Sequence, residues 1–227
     1  MSRIILDYSD ILEKIENILE GNAHLDELAQ RKQDPFKILI STILSARTKD
    51  ANTKQATETL FAKYNTPKMI AEAKIEDLEP LIYKSGFYKV KAARIKEVSR
   101  IIDANYDGEV PNDYDELVNL PGVGSKTANC VLVYAFNTPA IPVDTHVHRI
   151  SNRLGWVKTK TPEQTERSLK QVVPRDLWLK LNRSFVKFGQ QICLPINPKH
   201  DKCPIKDFCP KDFTMEEEKR KKKKKKV

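Results

Sequence analysis

The chain has 227 residues, of which 40% are apolar and 31% charged, and carries a net charge of +9. That length holds a sizeable core in one domain or two, and no apolar run approaches the roughly 20 residues that a membrane-spanning helix needs. The opening MSRIILDYSD has neither the apolar stretch nor the cleavage site of a secretory signal, so a cytoplasmic address is expected.

The elements read as helices almost throughout. From Tyr8 to Glu20, Ile11, Leu12, Ile15, Ile18 and Leu19 share one face. DPFKILISTILSA opens on an Asp cap with Pro at the first helical position, then turns apolar nearly all round, as a central helix does. Further helices are predicted over Ala51–Tyr64, Val90–Asn105, Lys126–Phe136, Val147–Leu154, Pro162–Val173 and Asp176–Ile192. Turns fall at Asn65–Pro67, Ser85–Phe87, Asp107–Pro111 and Leu120–Gly124. No segment alternates with the period of a strand and no internal repeat is present, so the fold class is all-α.

The closing EEEKRKKKKKKV carries eight bases and three acids, net +5, which leaves +4 for the rest. Such a run does not fold by itself, and residues 213–227 are read as a disordered basic tail. It serves either as a solubilising end or as a source of nonspecific affinity for nucleic acid through counterion release.

Chemistry concentrates in LPGVGSKTANCVLVYAF and PAIPVDTHVHRISNRLG. A Pro-Gly-Val-Gly turn between two helices folds tightly, and its amides can join the next helix N-terminus in facing an anion. The residues placed to do so are Gly122, Val123, Gly124 and Ser125, and a DNA phosphate is the natural anion for a basic helical protein. GVGSKT is not a nucleotide-binding P-loop: Ser125 precedes Lys126 where that motif has Gly, Leu120 stands at its first Gly, and no strand leads in. Lys126, at the positive end of a helix dipole, has its ammonium form disfavoured, which suits a Schiff-base nucleophile; the plain alternative is a solvated surface lysine. For Asp144 the plain alternative is a cap on the helix that begins near Val147. His148 is read as a surface or packing residue.

Three of the four cysteines, Cys193, Cys203 and Cys209, cluster near the end of the chain with His200 among them, in the pattern C-x6-H-x2-C-x5-C. Clustering in a reducing compartment favours metal binding over disulfides. Cys130, inside CVLVYAF, is read as a buried small hydrophobe.

LPGVGSKTAN with VDTHVHRISNRLG resembles the endonuclease III family of DNA glycosylases, in the helix-hairpin-helix superfamily. DPFKILISTILSARTKD, SGFYKVKAARI and FVKFGQQIC extend the resemblance, in the family's order, over roughly Pro35 to Cys209. It implies a bifunctional DNA glycosylase and AP lyase of base excision repair that excises oxidised pyrimidines from duplex DNA. Lys126 and Asp144 map onto the catalytic pair: the lysine attacks C1′ and forms an imine, the carboxylate steadies positive charge on the sugar and moves protons, and β-elimination cuts 3′ to the abasic site. Relatives that only remove the base usually lack this lysine. The two positions lie eighteen residues apart, enough for one helix and a return.

The resemblance also places Arg47 and Phe87 where the family inserts side chains into the duplex beside the flipped nucleotide, usually Gln and Leu. Their plain readings are an exposed charge and a core aromatic. Ser45 and His146 map near the base pocket. The family's cysteine loop, C-x6-C-x2-C-x5-C, binds a [4Fe–4S] cluster, and His200 stands at its second ligand position. Four states of the loop follow: a cluster with His200 as ligand, which the resemblance and ligand softness favour; a cluster on three cysteines; tetrahedral zinc on Cys₃His; and a metal-free loop.

The expected architecture is two helical lobes with a cleft between them. Residues 22–136 would form a six-helix lobe with the hairpin, and residues 1–21 with 137–212 a second lobe with the cysteine loop. Double-stranded damaged DNA is the expected partner of a monomer associated with the nucleoid. Other readings are the same fold acting on a mismatch or an oxidised purine, and a helix-hairpin-helix module that only holds phosphate.

Overall fold

In the computed structural model, residues 7–19 and 34–213 are described, and every regular element among them is helical. The Lys-rich tail beyond Phe213 and the end of the first predicted helix at Glu20 lie outside the described residues. The chain divides into two compact units: Asn22–Ala140, and Met1–Gly21 together with Ile141–Val227. The first helix, α1 (Tyr8–Glu16), belongs to the second of these.

The axis of the Asn22–Ala140 unit is α2 (Pro35–Ser45). Asp34 Oδ1 accepts from the Phe36 amide at 2.8 Å, and Pro35 occupies the first turn, where an amide would lack a helical partner. Eight of the eleven residues of α2 are buried, so it is a core helix on all sides. Against it pack α3 (Asp50–Lys63), α6 (Tyr88–Asn105) and α8 (Ser125–Phe136). Cys130, on α8, is 1% exposed and packs as a small hydrophobe.

Three short helices in this unit were not expected from periodicity: α4 (Pro67–Glu72), α5 (Ile75–Leu78) and α7 (Tyr114–Asn119). None exceeds six residues, too few for a 3.6-residue period to repeat twice. Two of them start on side-chain caps: Thr66 Oγ1 accepts from the Met69 amide at 3.2 Å, and Asp113 Oδ1 accepts from Asp115 and Glu116.

The other unit is built on α9 (Thr145–Arg153), α10 (Pro162–Val172) and α11 (Trp178–Gln191), with α1 laid against α11. Ile11, Leu12 and Ile15 of α1 join Ile150, Leu181 and Phe188 in one core, on which the three clustered cysteines rest. α1 stops at Glu16 rather than running on, with Asn17, a weak helix former, at its C-cap. α9 begins two residues before Val147 because Asp144 caps it. Before α11 the turn Arg175–Leu177 is wound as a 3₁₀ helix, which moves the α-helical start to Trp178. His148 is buried, its Nδ1 2.6 Å from Thr165 Oγ1.

Candidate active site

The hairpin between α7 and α8 is a turn in which the Val123 amide donates to the Leu120 carbonyl at 3.0 Å. Pro121 stands second and Gly122 third, with φ +72°, as a type II turn requires. A Cβ on Gly122 would also fall 2.0 Å from Arg94 Nε, and that long side chain would have to swing aside, but it is the backbone that demands glycine there. Gly124 is different. Its backbone is extended, at φ −96° and ψ 178°, and nothing lies within 4 Å of where a Cβ would sit. The fold does not need this glycine, and its bare backbone faces open space just ahead of α8. Lys126 is the second residue of α8 and is half-buried.

Elsewhere in the same unit, two loop tips converge. Arg47, just past α2, is exposed at φ +54°, and Phe87, just before α6, is 64% exposed at φ +61°. Phe87 is therefore no core aromatic. Left-handed backbone at two non-glycine residues costs about 1–3 kcal/mol each. The Arg47 guanidinium carbon lies 5.9 Å from the centre of the Phe87 ring, and the Gly86 amide donates to Thr48 Oγ1 at 3.1 Å. Ser45 is half-buried at the end of α2, its hydroxyl donating to the Thr42 carbonyl at 2.8 Å.

In the second unit Asp144 Oδ1 accepts from the amides of His146 and Val147, at 2.9 and 2.8 Å. The aspartate thus does cap α9, through one oxygen. His146 Nδ1 lies 3.1 Å from Arg149 Nη2. A guanidinium only donates, so Nδ1 is the acceptor and the neutral ring carries its proton on Nε2. A Cβ on Gly189 would come within 2.4 Å of His146 Nδ1, so that glycine lets α11 approach the ring. Arg149 Nη2 also donates to the carbonyls of Gly189 and Cys193, at 3.2 and 2.8 Å.

One turn further along α9, Arg153 is 3% exposed. Its Nη1 donates to the Leu194 carbonyl at 2.7 Å and lies 3.3 Å from Cys193 Sγ, while Nη2 donates to the Pro195 carbonyl at 3.2 Å. The guanidinium also sits over the Phe213 ring, 4.7 Å from its centre. These two arginines escaped sequence reasoning. The only signal was their spacing, one turn apart on a helix whose apolar residues point the same way. Arg153→Lys keeps the charge but loses the planar fork. It is expected to lower urea stability by about 1–3 kcal/mol and to speed iron loss from the loop, followed by colorimetric iron release.

Cys193, Cys203 and Cys209 are half-buried, none is in a disulfide, and with His200 they border a hollow of about 430 Å³, including space open to solvent. His200 is exposed, at the start of the 3₁₀ turn His200–Lys202, with its ring edge-on to Phe213 at 6.2 Å. Burial pushes the Cys203 and Cys209 thiols up, and neighbouring cysteines push the same way against opposing backbone hydrogen bonds. Thiolates gathered in such a place need a cationic centre between them, so the loop fits a metal group. Among the described residues no three His, Cys, Asp or Glu side chains converge as a single-ion site requires. An iron–sulfur cluster spreads its ligands over several irons instead.

The geometry therefore groups the sequence-predicted residues in sets. Arg47 and Phe87 meet; Gly122 to Ser125 form the hairpin that carries Lys126; Asp144 and His146 share the first turn of α9; and the cysteines share a hollow with His200.

Residues 40–175 match the profile of the HhH-GPD superfamily base excision DNA repair proteins. The chain belongs to that superfamily. Residues 193–209 match the iron-sulfur binding domain of endonuclease III, so the cysteine loop of this HhH-GPD protein is an iron–sulfur site. Endonuclease III of Thermotoga maritima is 56% identical over 179 residues, covering 79% of this chain and 84% of the relative. Endonuclease III-like protein 1 of Bos taurus is 41% identical over 217 residues, 90% of this chain and 71% of the relative. Among solved structures, a trapped endonuclease III–DNA covalent intermediate superposes with a TM-score of 0.75 at 36% identity, covering 88% of this chain and 96% of that one. A thermostable thymine-DNA glycosylase superposes at 0.76 with 26% identity, covering 92% and 94%.

Proposed function

We propose that this DNA glycosylase and AP lyase excises oxidised pyrimidines from duplex DNA, with Lys126 as nucleophile and Asp144 as its acidic partner. The hairpin carries the reading. It presents a bare-backbone glycine, which the fold itself does not require, two residues before a lysine at the positive end of a helix. That is the arrangement needed to hold a phosphate and set an amine beside its sugar. The relative solved as a covalent DNA intermediate supports it.

In this reading Arg47 and Phe87 enter the duplex where the damaged nucleotide leaves the stack, and Ser45 and His146 contact the extruded base. The neutral His146 ring, with its proton on Nε2, can donate to a pyrimidine carbonyl. The Lys126 amine attacks C1′, the glycosidic bond breaks, and the base departs with the bonding electrons and takes up a proton. The Asp144 carboxylate steadies the positive charge that builds on the sugar and shuttles protons. Opening of the sugar ring leaves an imine; loss of a C2′ proton then expels the 3′ phosphate.

We further propose that the iron–sulfur group is a [4Fe–4S] cluster held by Cys193, Cys203, Cys209 and His200. Bound, it clips the basic loop PINPKHDK in a shape that meets phosphate. The chain's own residues do the chemistry.

The hairpin reading separates two glycines. Gly124→Ala is expected to leave stability within about 0.5 kcal/mol yet weaken duplex binding, because its Cβ occupies the open space. Gly122→Ala, strained and driven into Arg94, is expected to lose about 1–3 kcal/mol of stability. Urea titration beside fluorescence anisotropy checks both.

The test of function is borohydride trapping on duplexes carrying an oxidised pyrimidine, 8-oxoguanine, a G:T mismatch or an abasic site. A covalent adduct on the oxidised pyrimidine and abasic duplexes is expected. Adduct only on G:T would move the lesion to that of the thymine-DNA glycosylase that shares the fold. No adduct with any of them would remove the enzyme reading.

A further inference from the structure

One buried cation takes no part in the chemistry above. Lys91, on the first turn of α6, is 3% exposed. Its Nζ donates to the Leu44 carbonyl at 2.7 Å and to Thr48 Oγ1 at 2.8 Å. The Leu44 carbonyl lies in the last turn of α2, where the helix leaves its own acceptors unmet. The Thr48 amide, which would have served it, bonds Ser45 instead. A cation is favoured at that end of the dipole.

The same Thr48 hydroxyl accepts from the Gly86 amide at 3.1 Å. A Cβ at Gly86 would press on the Arg47 carbonyl at 3.2 Å, so the two loops touch through bare backbone. Arg47 directly precedes Thr48, and Phe87 directly follows Gly86. Both hold left-handed backbone that nothing in their own residue type favours, and their side chains meet in a cation–π contact. Something must hold both tips against that strain. The hydrogen bonds that join the loops run through Thr48, and Thr48 is fixed from beneath by the Lys91 ammonium. Burial and the nearby Arg94 push that ammonium down to about 8, so it remains charged at neutral pH.

We propose that Lys91 is a positioning residue for base extrusion: through Leu44 and Thr48 it locks the loop bearing Arg47 to the loop bearing Phe87, and so sets the wedge that enters the duplex. An apolar side chain would fill the same space with no charge to desolvate, but it would take the Lys91 donor from the Leu44 carbonyl and leave the Thr48 hydroxyl with the Gly86 amide and no ammonium beneath it. The proposal rests on the reading of Arg47 and Phe87 as the wedge.

The experiment compares the native enzyme with Lys91→Met, Thr48→Val, Phe87→Ala and the Lys91→Met/Phe87→Ala double variant. Single-turnover excision of an oxidised pyrimidine from duplex DNA is measured beside borohydride trapping on a duplex that already holds an abasic site, where no base must leave the stack. Lys91→Met and Thr48→Val are each expected to slow excision about tenfold or more, since displaced groups lose rate steeply, while trapping falls less than about threefold. In the Phe87→Ala background, Lys91→Met is expected to cost little more, because the two act on one device. Exchange of the Gly86 amide is expected to quicken in both latch variants.

Additive losses in the double variant, equal losses on both substrates, or unchanged Gly86 exchange would each overturn the positioning role while leaving the wedge standing. If Phe87→Ala excises like the native enzyme, the wedge reading itself fails and takes this proposal with it. Should Lys91→Met not fold, Thr48→Val keeps the buried charge on Leu44 and carries the same comparisons.

Discussion

Lys126→Gln is expected to abolish the borohydride adduct and strand cutting, and to slow base release by about 10³-fold or more, as removal of a covalent nucleophile does. Duplex affinity should change little, because the hairpin backbone is untouched. The companion variant needs more care. Asp144 caps α9 with Oδ1 on two amides, so Asp144→Ala would remove both the charge and the cap, the cap alone costing about 1 kcal/mol. Asn caps as well as Asp does. Asp144→Asn is therefore expected to keep the melting temperature while losing about 10²–10⁴ in rate. If Asp144→Asn retained native rates, the carboxylate would be structural only. A Lys126→Gln enzyme that still trapped would place the nucleophile elsewhere.

The second large effect concerns the cluster loop. Cys203→Ser is expected to empty the site of iron, since an alcohol is a poor ligand for iron that prefers soft thiolate. The hollow that Arg153 and Phe213 border then loses its filling. At about 2–4 °C per kcal/mol for a chain of this size, the loss should read as a fall of roughly 10 °C in Tm. His200 gives a finer result. A neutral imidazole on iron raises the reduction potential above that of an all-thiolate cluster. His200→Cys is expected to retain four irons and lower the potential, and the native reduced cluster should show a nitrogen hyperfine coupling that the variant lacks. Absence of that coupling in the native protein, with iron content intact in His200→Ala, would remove His200 from the ligand set.

Long helices and the hairpin were legible in the sequence because their signals are local. Pro35 after Asp34, and Gly122 after Pro121, specify backbone within a few residues. The cysteine loop was legible through spacing. Arg149, Arg153 and Lys91 were not, for a common reason. Each is a basic residue on a helix, and in one dimension such a residue looks like a solvated face. What makes them special is a carbonyl contributed by a segment 40 or more residues away, such as Cys193 for Arg149 and Leu44 for Lys91. Phe87 is the opposite case: an aromatic beside a helix start has a core residue as its plain reading, and the left-handed backbone with a 64% exposed ring excludes that alternative.

The segment α1 belongs with residues that come after Ile141, and the Ser184 hydroxyl donates to Glu16 Oε1 at 2.7 Å across 168 positions of chain. During synthesis, then, the Asn22–Ala140 unit can close as soon as α8 has emerged to pack on α2. α1, made first, must wait with Ile11, Leu12 and Ile15 uncovered until α11 has left the ribosome. A nascent chain of this protein passes through a stage with one finished unit and a short amphipathic segment whose apolar side chains are uncovered, the kind of intermediate that chaperones bind and that aggregates when crowded. Final assembly is timed by the last third of the chain.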